Sequence, residues 1–365
     1  MRVLLAPDSF GGTLTAVEAA QAMADGWTRR APDDELVLRP MSDGGPGFVD
    51  VLHATLGGEV LSVNVVGPGG DETPAAVLMV EDTAYVESAQ ACGLHLVEPA
   101  HRDPERGTTF GVGQLVAAAV DDGARRVVVG LGGSGTNDGG GGLLAALGAT
   151  AVPPEALSGG PHALELLQSV DLAKARERCA DVQLIAATDI DNPLLGLRGA
   201  TNVYGPQKGV PEDRKQHVDA QLERLADATD RKAADLPGAG AAGGLGFALT
   251  LLGAQRVGGI GLVCGAVGLP EHAKASDLIV TGEGAFDFQS RSGKVPYGVA
   301  KVAAEAIRPC IALAGQVLVG SREMRALGIE SAYSVVDLVG EQAAFAEPAR
   351  SLAALAERVA RTWSR

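Results

Sequence analysis

The sequence predicts an α/β fold with a parallel sheet, its first domain interrupted by a second. Three observations predict it. Short apolar runs near the N-terminus are each followed by a polar, Gly-rich loop and then by a stretch of helical period. From Glu59 that rhythm gives way to closely spaced strand-like segments divided by turn residues. From Asp277 the strand–loop–helix rhythm returns.

The elements follow in order. "RVLLA" (2–6) has the unbroken apolar character of a strand buried on both faces. "DSFGGT" is the loop after it, and Thr15 and Glu18 form a T-x-x-E capping box that opens a helix. Val17, Ala20, Ala24 and Trp27 recur at helical spacing, and Pro32 lies beyond the helix end. "ELVLRP" is the second strand, and "MSDGGPG" leads into a helix around "FVDVLHATL". "EVLSVNVVGP", "ETPAAVLMVEDT" and "AYVESAQACG" then read as antiparallel strands. "GVGQLVAAAVDDGA" is a helix feeding the strand "VVVGLGG", and "DVQLIAATDIDNP" is a strand ending in an acidic loop. "PEDRKQHVDAQLERLADATDRKA" is an amphipathic, solvent-facing helix. "GAGAAGGLG" (238–246) precedes the apolar run "FALTLLGA" and reads as a loop of close backbone approach before a helix. "DLIVTGEG", "CIALAGQV" and "AYSVVDLV" close the parallel pattern.

Composition narrows the function classes. The 365 residues suffice for two domains with a substantial core, and 46% are hydrophobic but only 4% aromatic, so the core is chiefly Ala, Val and Leu. A formal charge of −15 argues against nucleic acid or an anionic membrane as partner. Any anionic substrate must therefore meet local cations or backbone N–H groups. Cys92, Cys179, Cys264 and Cys310 are scattered without a C-x-x-C pair and read as buried apolar residues. "MRVLLAPDSF" is broken too early by Pro7 to read as a signal peptide, and the expected location is cytoplasmic.

"GLGGSGTNDGGGG" (130–142) follows a strand and precedes a helix. Such a position suits phosphate binding on backbone amides, and it equally suits a plain tight loop. The stretch lacks the Gly-Lys-Ser/Thr ending of a P-loop and the G-x-G-x-x-G spacing of a dinucleotide site. Polar residues gather where the apolar strands end: Asp8 and Ser9, Ser42 and Asp43, Asn137 and Asp138, Asp189 with Asp191 and Asn192, Glu283 and Asp287. Carboxylates beyond strand ends suit Mg²⁺ binding or general-base work, while each taken singly also reads as a turn or cap residue. Lys208 in "YGPQKG" and Lys294 in "DFQSRSGKVP" read as loop lysines suited to a phosphate or carboxylate. No histidine has a Ser or Cys motif partner, which argues against a Ser-His-Asp triad.

"APDSF.G.L", "P.SDGG.G..D.L", "RG.T.GVG.L", "G.GGS.TNDGG.G", "DIDNPL.G..GA..V.GPQKG", "GAGAAGGLG" and "TGEG..D.QS..GK.P.GVAK" occur in one order along almost the whole chain. In these motifs the chain resembles the bacterial glycerate kinase family, type I. The resemblance implies ATP-dependent, Mg²⁺-assisted phosphorylation of D-glycerate, with 2-phosphoglycerate as the expected product ahead of 3-phosphoglycerate. It implies a Rossmann-like domain (1–62 and 270–365) with a smaller α/β domain (63–269) inserted in it and the active site in the cleft between them. Asp189, Lys294, Asp287 and Lys208 are the expected catalytic residues, with Asp189 and Asp287 also holding the metal. Asp8, Ser9, Asp43, Asn137, Asp138, Asn192, Gln207 and Gln289 are expected to bind substrate. Gly132, Gly133, Ser134 and Glu283 are expected to hold the nucleotide. A monomer or small homo-oligomer is expected. The chain departs from the family's usual "DSFKG" with Gly11 and from its usual "GEGR" with Ala285, so two loop cations are missing. A kinase for a related hydroxy acid, or a silent binding protein of the same fold, are the alternative readings.

Overall fold

The computed structural model describes residues 1–287 and 294–364. They divide into two compact units. The first comprises 1–43, 50–56 and 260–365, and the second 44–49 and 57–259.

The first unit holds a five-stranded parallel sheet. Its order from edge to edge is Glu35–Leu38, Arg2–Pro7, Leu278–Gly282, Cys310–Ala314 and Ser331–Ser334. Numbered as they occur within this unit, the strands run 2-1-3-4-5. The chain leaves the first strand toward one edge and the third toward the other, so loops diverge there and open a crevice at the carboxyl ends. The inner strands are covered on both faces. That is why "VLLAP", "LIVTG" and "CIALA" are buried at every position. The helix Ala16–Arg30 starts at the Thr15 cap: the Glu18 amide donates to Thr15 Oγ1 at 3.1 Å, and the Thr15 amide donates to Glu18 Oε2 at 2.9 Å. Gly26 lets this helix lie directly on Pro348–Trp363, since a Cβ there would sit 2.0 Å from the Ala353 carbonyl oxygen. Trp27, Met23, Leu5, Val280 and Leu355 fill the core.

The second unit holds a six-stranded mixed sheet. Glu59–Val66, Glu72–Val80 and Thr83–Glu87 form consecutive antiparallel pairs, as the close strand spacing predicts. Thr83–Glu87, Arg126–Gly130, Gln183–Ala187 and Gln255–Val257 continue the sheet in parallel. Val77, Leu115, Val127, Leu143 and Phe247 belong to its core. All four cysteines are buried and none is in a disulfide. Among the described residues no helix is long and apolar enough to cross a membrane.

Candidate functional site

In the first unit the crevice is acidic. Asp8 follows the first strand, Glu283 follows the third, and Asp43 lies past the second. Burial raises the Asp8 carboxyl to about 8, helped by the negative charges of Asp43 and Glu283 and opposed by the hydrogen bond from the Ser9 amide at 2.7 Å. Lys294, at the N-cap of the helix Val295–Glu305, sets its Nζ 3.8 Å from Glu283 Oε2 and 3.9 Å from Asp287 Oδ1. Glu283 is almost fully buried, so its carboxylate is presented at the crevice floor and not to bulk water. Carboxylates whose charges repel one another are a donor set that suits a hard divalent cation. Among the described residues no three acidic, His or Cys side chains converge into a ready-made metal centre. Mg²⁺ commonly takes only one or two carboxylates and completes its shell with water and phosphate.

In the second unit the glycines of 130–142 are consumed by packing. A Cβ on Gly132 would fall 2.5 Å from the Gly45 Cα, and one on Gly133 (φ +68°) would fall 2.7 Å from the Pro46 ring. At these two positions the close approach is to neighbouring backbone and Pro46, so neither glycine could be replaced without a shift. The 238–246 loop is pressed on the same run: the Gly139 amide donates to the Gly243 carbonyl at 2.9 Å. Asp138 is fully buried and its carboxylate accepts from the Thr109 amide and hydroxyl (2.8 Å each), the Gly140 amide (3.0 Å) and the Gly142 amide (3.1 Å). These donors pull its pKa down, but burial outweighs them and raises it. Asp138 therefore ties the loop to Thr109. Asn137 donates to Thr201 Oγ1 at 2.9 Å, while its buried Oδ1 has no partner.

Lys208 is the last residue of the helix Ala200–Lys208, not a loop residue as the sequence suggested. The helix survives Pro206, and Gly209 at φ +100° ends it. The ammonium is buried, donating to Ser134 Oγ at 2.9 Å and to the Thr136 carbonyl at 2.7 Å. Desolvation lowers its pKa to about 8. Ser134 thus serves a cation. Lys208 also reaches a cavity of about 560 Å³ within this unit, lined further by Arg102, Arg106, His101, Gly107 and Gly135. The Arg102 guanidinium is held by the Leu94 and Val97 carbonyls. Asp71, Glu98 and Asp103 line it as well, with His101 3.5 Å from Glu98 and Arg106 3.7 Å from Asp103, so the wall is mixed in charge, and the sequence reading missed it. Thr109 was missed too, because one threonine in a helix-start motif carries no distinguishing mark.

The acidic loop after Gln183–Ala187 separates its two aspartates. Asp191 is exposed and pairs with Arg256 at 2.6 Å. Asp189 is half-buried beside Gly258, where a Cβ would come 2.9 Å from its Oδ1. Asn192 holds its loop, donating to the Arg198 carbonyl at 2.8 Å and accepting from the Tyr204 hydroxyl at 2.9 Å. Gln207 is exposed. Gln289 lies outside the described residues.

Comparison with known proteins is uniform. A family model described as the glycerate kinase family matches residues 3–364. A glycerate kinase of Halalkalibacterium halodurans is 40% identical, over 92% of this chain and 90% of its own length. A glycerate 2-kinase of Escherichia coli is 37% identical, over 93% of this chain and 92% of its own. A crystal structure assigned to glycerate kinase 2 of Salmonella typhimurium is 36% identical and superposes with a TM-score of 0.82, covering 99% of this chain and 98% of that one.

Proposed function

The chain belongs to the glycerate kinase family and is a kinase, and from that premise we propose that it moves the γ-phosphoryl group of ATP to D-glycerate, forming 2-phosphoglycerate. The observation that carries this reading is the acidic crevice of the first sheet: Asp8, Asp43 and Glu283 gathered where the strand order reverses, with Lys294 beside Glu283 and Asp287.

Phosphoryl transfer asks the protein for positioning and charge neutralisation, and for an acceptor of the substrate's hydroxyl proton. Asp189 is the proposed acceptor, because it is half-buried at a strand end while its neighbour Asp191 is committed to Arg256. Lys294 is the proposed cation for the transferring phosphoryl group, since Glu283 and Asp287 fix its ammonium without enclosing it. Lys208 and Arg102 offer positive charge to an anionic group in the second unit. A bound Mg²⁺ would neutralise phosphate charge, and Asp287, beside Lys294 in the first unit, is the carboxylate proposed to hold it.

Purified protein incubated with ATP and Mg²⁺ against D-glycerate, L-glycerate, glycolate and lactate, with ³¹P NMR of the product, tests the reading. ADP release only with D-glycerate and a phosphate on C2 is the expected result. Preference for another hydroxy acid replaces the substrate, and no turnover with any acceptor removes the kinase reading for this chain. Lys294→Met should lower kcat/KM roughly 10- to 200-fold, the range for one hydrogen bond to a charged group.

A further inference from the structure

Gly11 and Ala285, the two positions where the family motifs usually carry cations, line one and the same pocket. It lies in the first unit, has a volume of about 220 Å³, and is walled by Phe10, Val335, Val336, Phe345, Pro348 and Leu352 beside them. Four loops at the carboxyl ends of the parallel strands meet there: 10–13, 284–285, 315–316 and the segment from Val335. This is the place where an open α/β sheet binds its ligand. Among the described residues no Lys, Arg or His lines the pocket, and the acidic residues Asp8 and Glu283 are near neighbours in the chain of Phe10 and Gly284. An anion there would meet no cation among the described lining residues, and a negative background. An uncharged group would meet apolar side chains, the open face of Phe345 (59% exposed), and one amide, that of Gln316, able both to donate and to accept.

We propose that this pocket holds the nucleobase of the phosphate donor, and that Gly11 and Ala285 make it a site for a neutral planar ring where lysine and arginine would make it a site for an anion. The proposal rests on the reading of the chain as an ATP-dependent kinase. Size supports a ring and not a whole nucleotide: an apolar cavity of about 150 Å³ accepts benzene, whereas complete drug-sized ligands take roughly 300–1,000 Å³. Phe345 supplies a stacking surface, and Gln316 faces a base edge with both hydrogen-bonding senses. The phosphates would then lead away from the apolar pocket toward Lys294, which lies in the same unit.

Titration calorimetry with adenosine and, separately, with tripolyphosphate tests the assignment without relying on turnover. Wild-type protein should bind adenosine. Phe345→Ala should weaken it about tenfold or more, and the paired change Gly11→Lys with Ala285→Arg should weaken it at least as much while tightening tripolyphosphate. A Cβ at Gly11 meets nothing within 4 Å and Ala285 is exposed, so the pair is compatible with the fold, which circular dichroism verifies. Adenosine binding untouched by both changes, or no adenosine binding by a wild-type protein that turns over ATP, overturns the base pocket and leaves the kinase reading standing. Adenosine binding lost as expected in the variants of a protein that phosphorylates no hydroxy acid keeps the pocket and removes the acceptor.

Discussion

The Gly139 amide donates to the Gly243 carbonyl at 2.9 Å, closing the two glycine-rich loops of the second unit on each other. Gly243 holds φ +70°, and a Cβ there would lie 2.1 Å from the Thr136 carbonyl oxygen. Gly243→Ala should therefore cost about 2–5 kcal/mol, combining left-handed strain with a backbone clash. Gly253→Ala is the control, with φ +88° but open space around it, and should cost only about 1 kcal/mol. Thermal melts of the two variants check this, and equal shifts would refute the contact argument.

Lys208 sets a pH signature. Its folded pKa of about 8 lies below the unfolded value of 10.5, so the folded chain binds fewer protons between those limits. Stability attributable to this group is reduced below pH 8, where the buried ammonium is charged, and recovers as pH rises from about 8 to 10.5. Asp138 moderates the shift, and Cys92, with its thiol pushed up to about 12, stays neutral across the window. Denaturant unfolding of wild type and Lys208→Met should show wild type gaining on the variant with a slope approaching 1.4 kcal/mol per pH unit. Parallel curves would show that Lys208 does not titrate there.

Asp8 works in the opposite sense. Its folded pKa of about 8 stands above the ordinary carboxylate value of 3.8, so the folded state holds a proton that the unfolded chain has lost. Stability from this group is complete below pH 4 and declines as pH rises to about 8. If the carboxylate is the active form, kcat/KM of the free enzyme should rise with pH through a midpoint near 8 and level off above it. Asp8→Asn should remove that limb and flatten the stability decline. A pH–rate profile unchanged by the substitution would exclude Asp8 from the reaction.

Two aspartates separated by one residue should behave differently. Asp191→Asn loses one exposed pair with Arg256, worth about 0–1 kcal/mol, and should leave kcat near wild type. Asp189→Asn should lower kcat about a hundredfold or more if Asp189 accepts the hydroxyl proton. Steady-state kinetics of both decides the matter, and a near-normal Asp189→Asn enzyme moves the base elsewhere.

The alternation of apolar runs with helical period was enough to read the inner parallel strands, because burial on two faces leaves unbroken Val, Leu and Ile stretches, but the short edge strand Gln255–Val257, with two exposed positions, was not read. The capping box at Thr15 and the antiparallel segments from Glu59 were legible for the same local reason. The glycines of 130–142 were not. A glycine that admits a ligand and a glycine that admits Gly45 or Pro46 have the same side chain, and only the fold tells them apart. Lys208 misled because Gln and Gly beside it resemble a loop, while a buried helix end supplied Ser134 and Thr136 as its partners. Gly11 and Ala285 stand far apart in sequence, so their shared pocket could emerge only from the sheet that joins their loops.

The buried thiols make the protein a reporter of its own breathing. Cys92 and Cys179 lie in the second unit, Cys264 and Cys310 in the first, and none is accessible in the folded state. Burial raises Cys92 and Cys310 to about 12, so neither offers thiolate near neutrality until its surroundings open. Pulsed alkylation with mass-spectrometric readout would thus time the opening of each unit separately, without an added label. Ligand that steadies one unit should slow modification of that unit's pair alone.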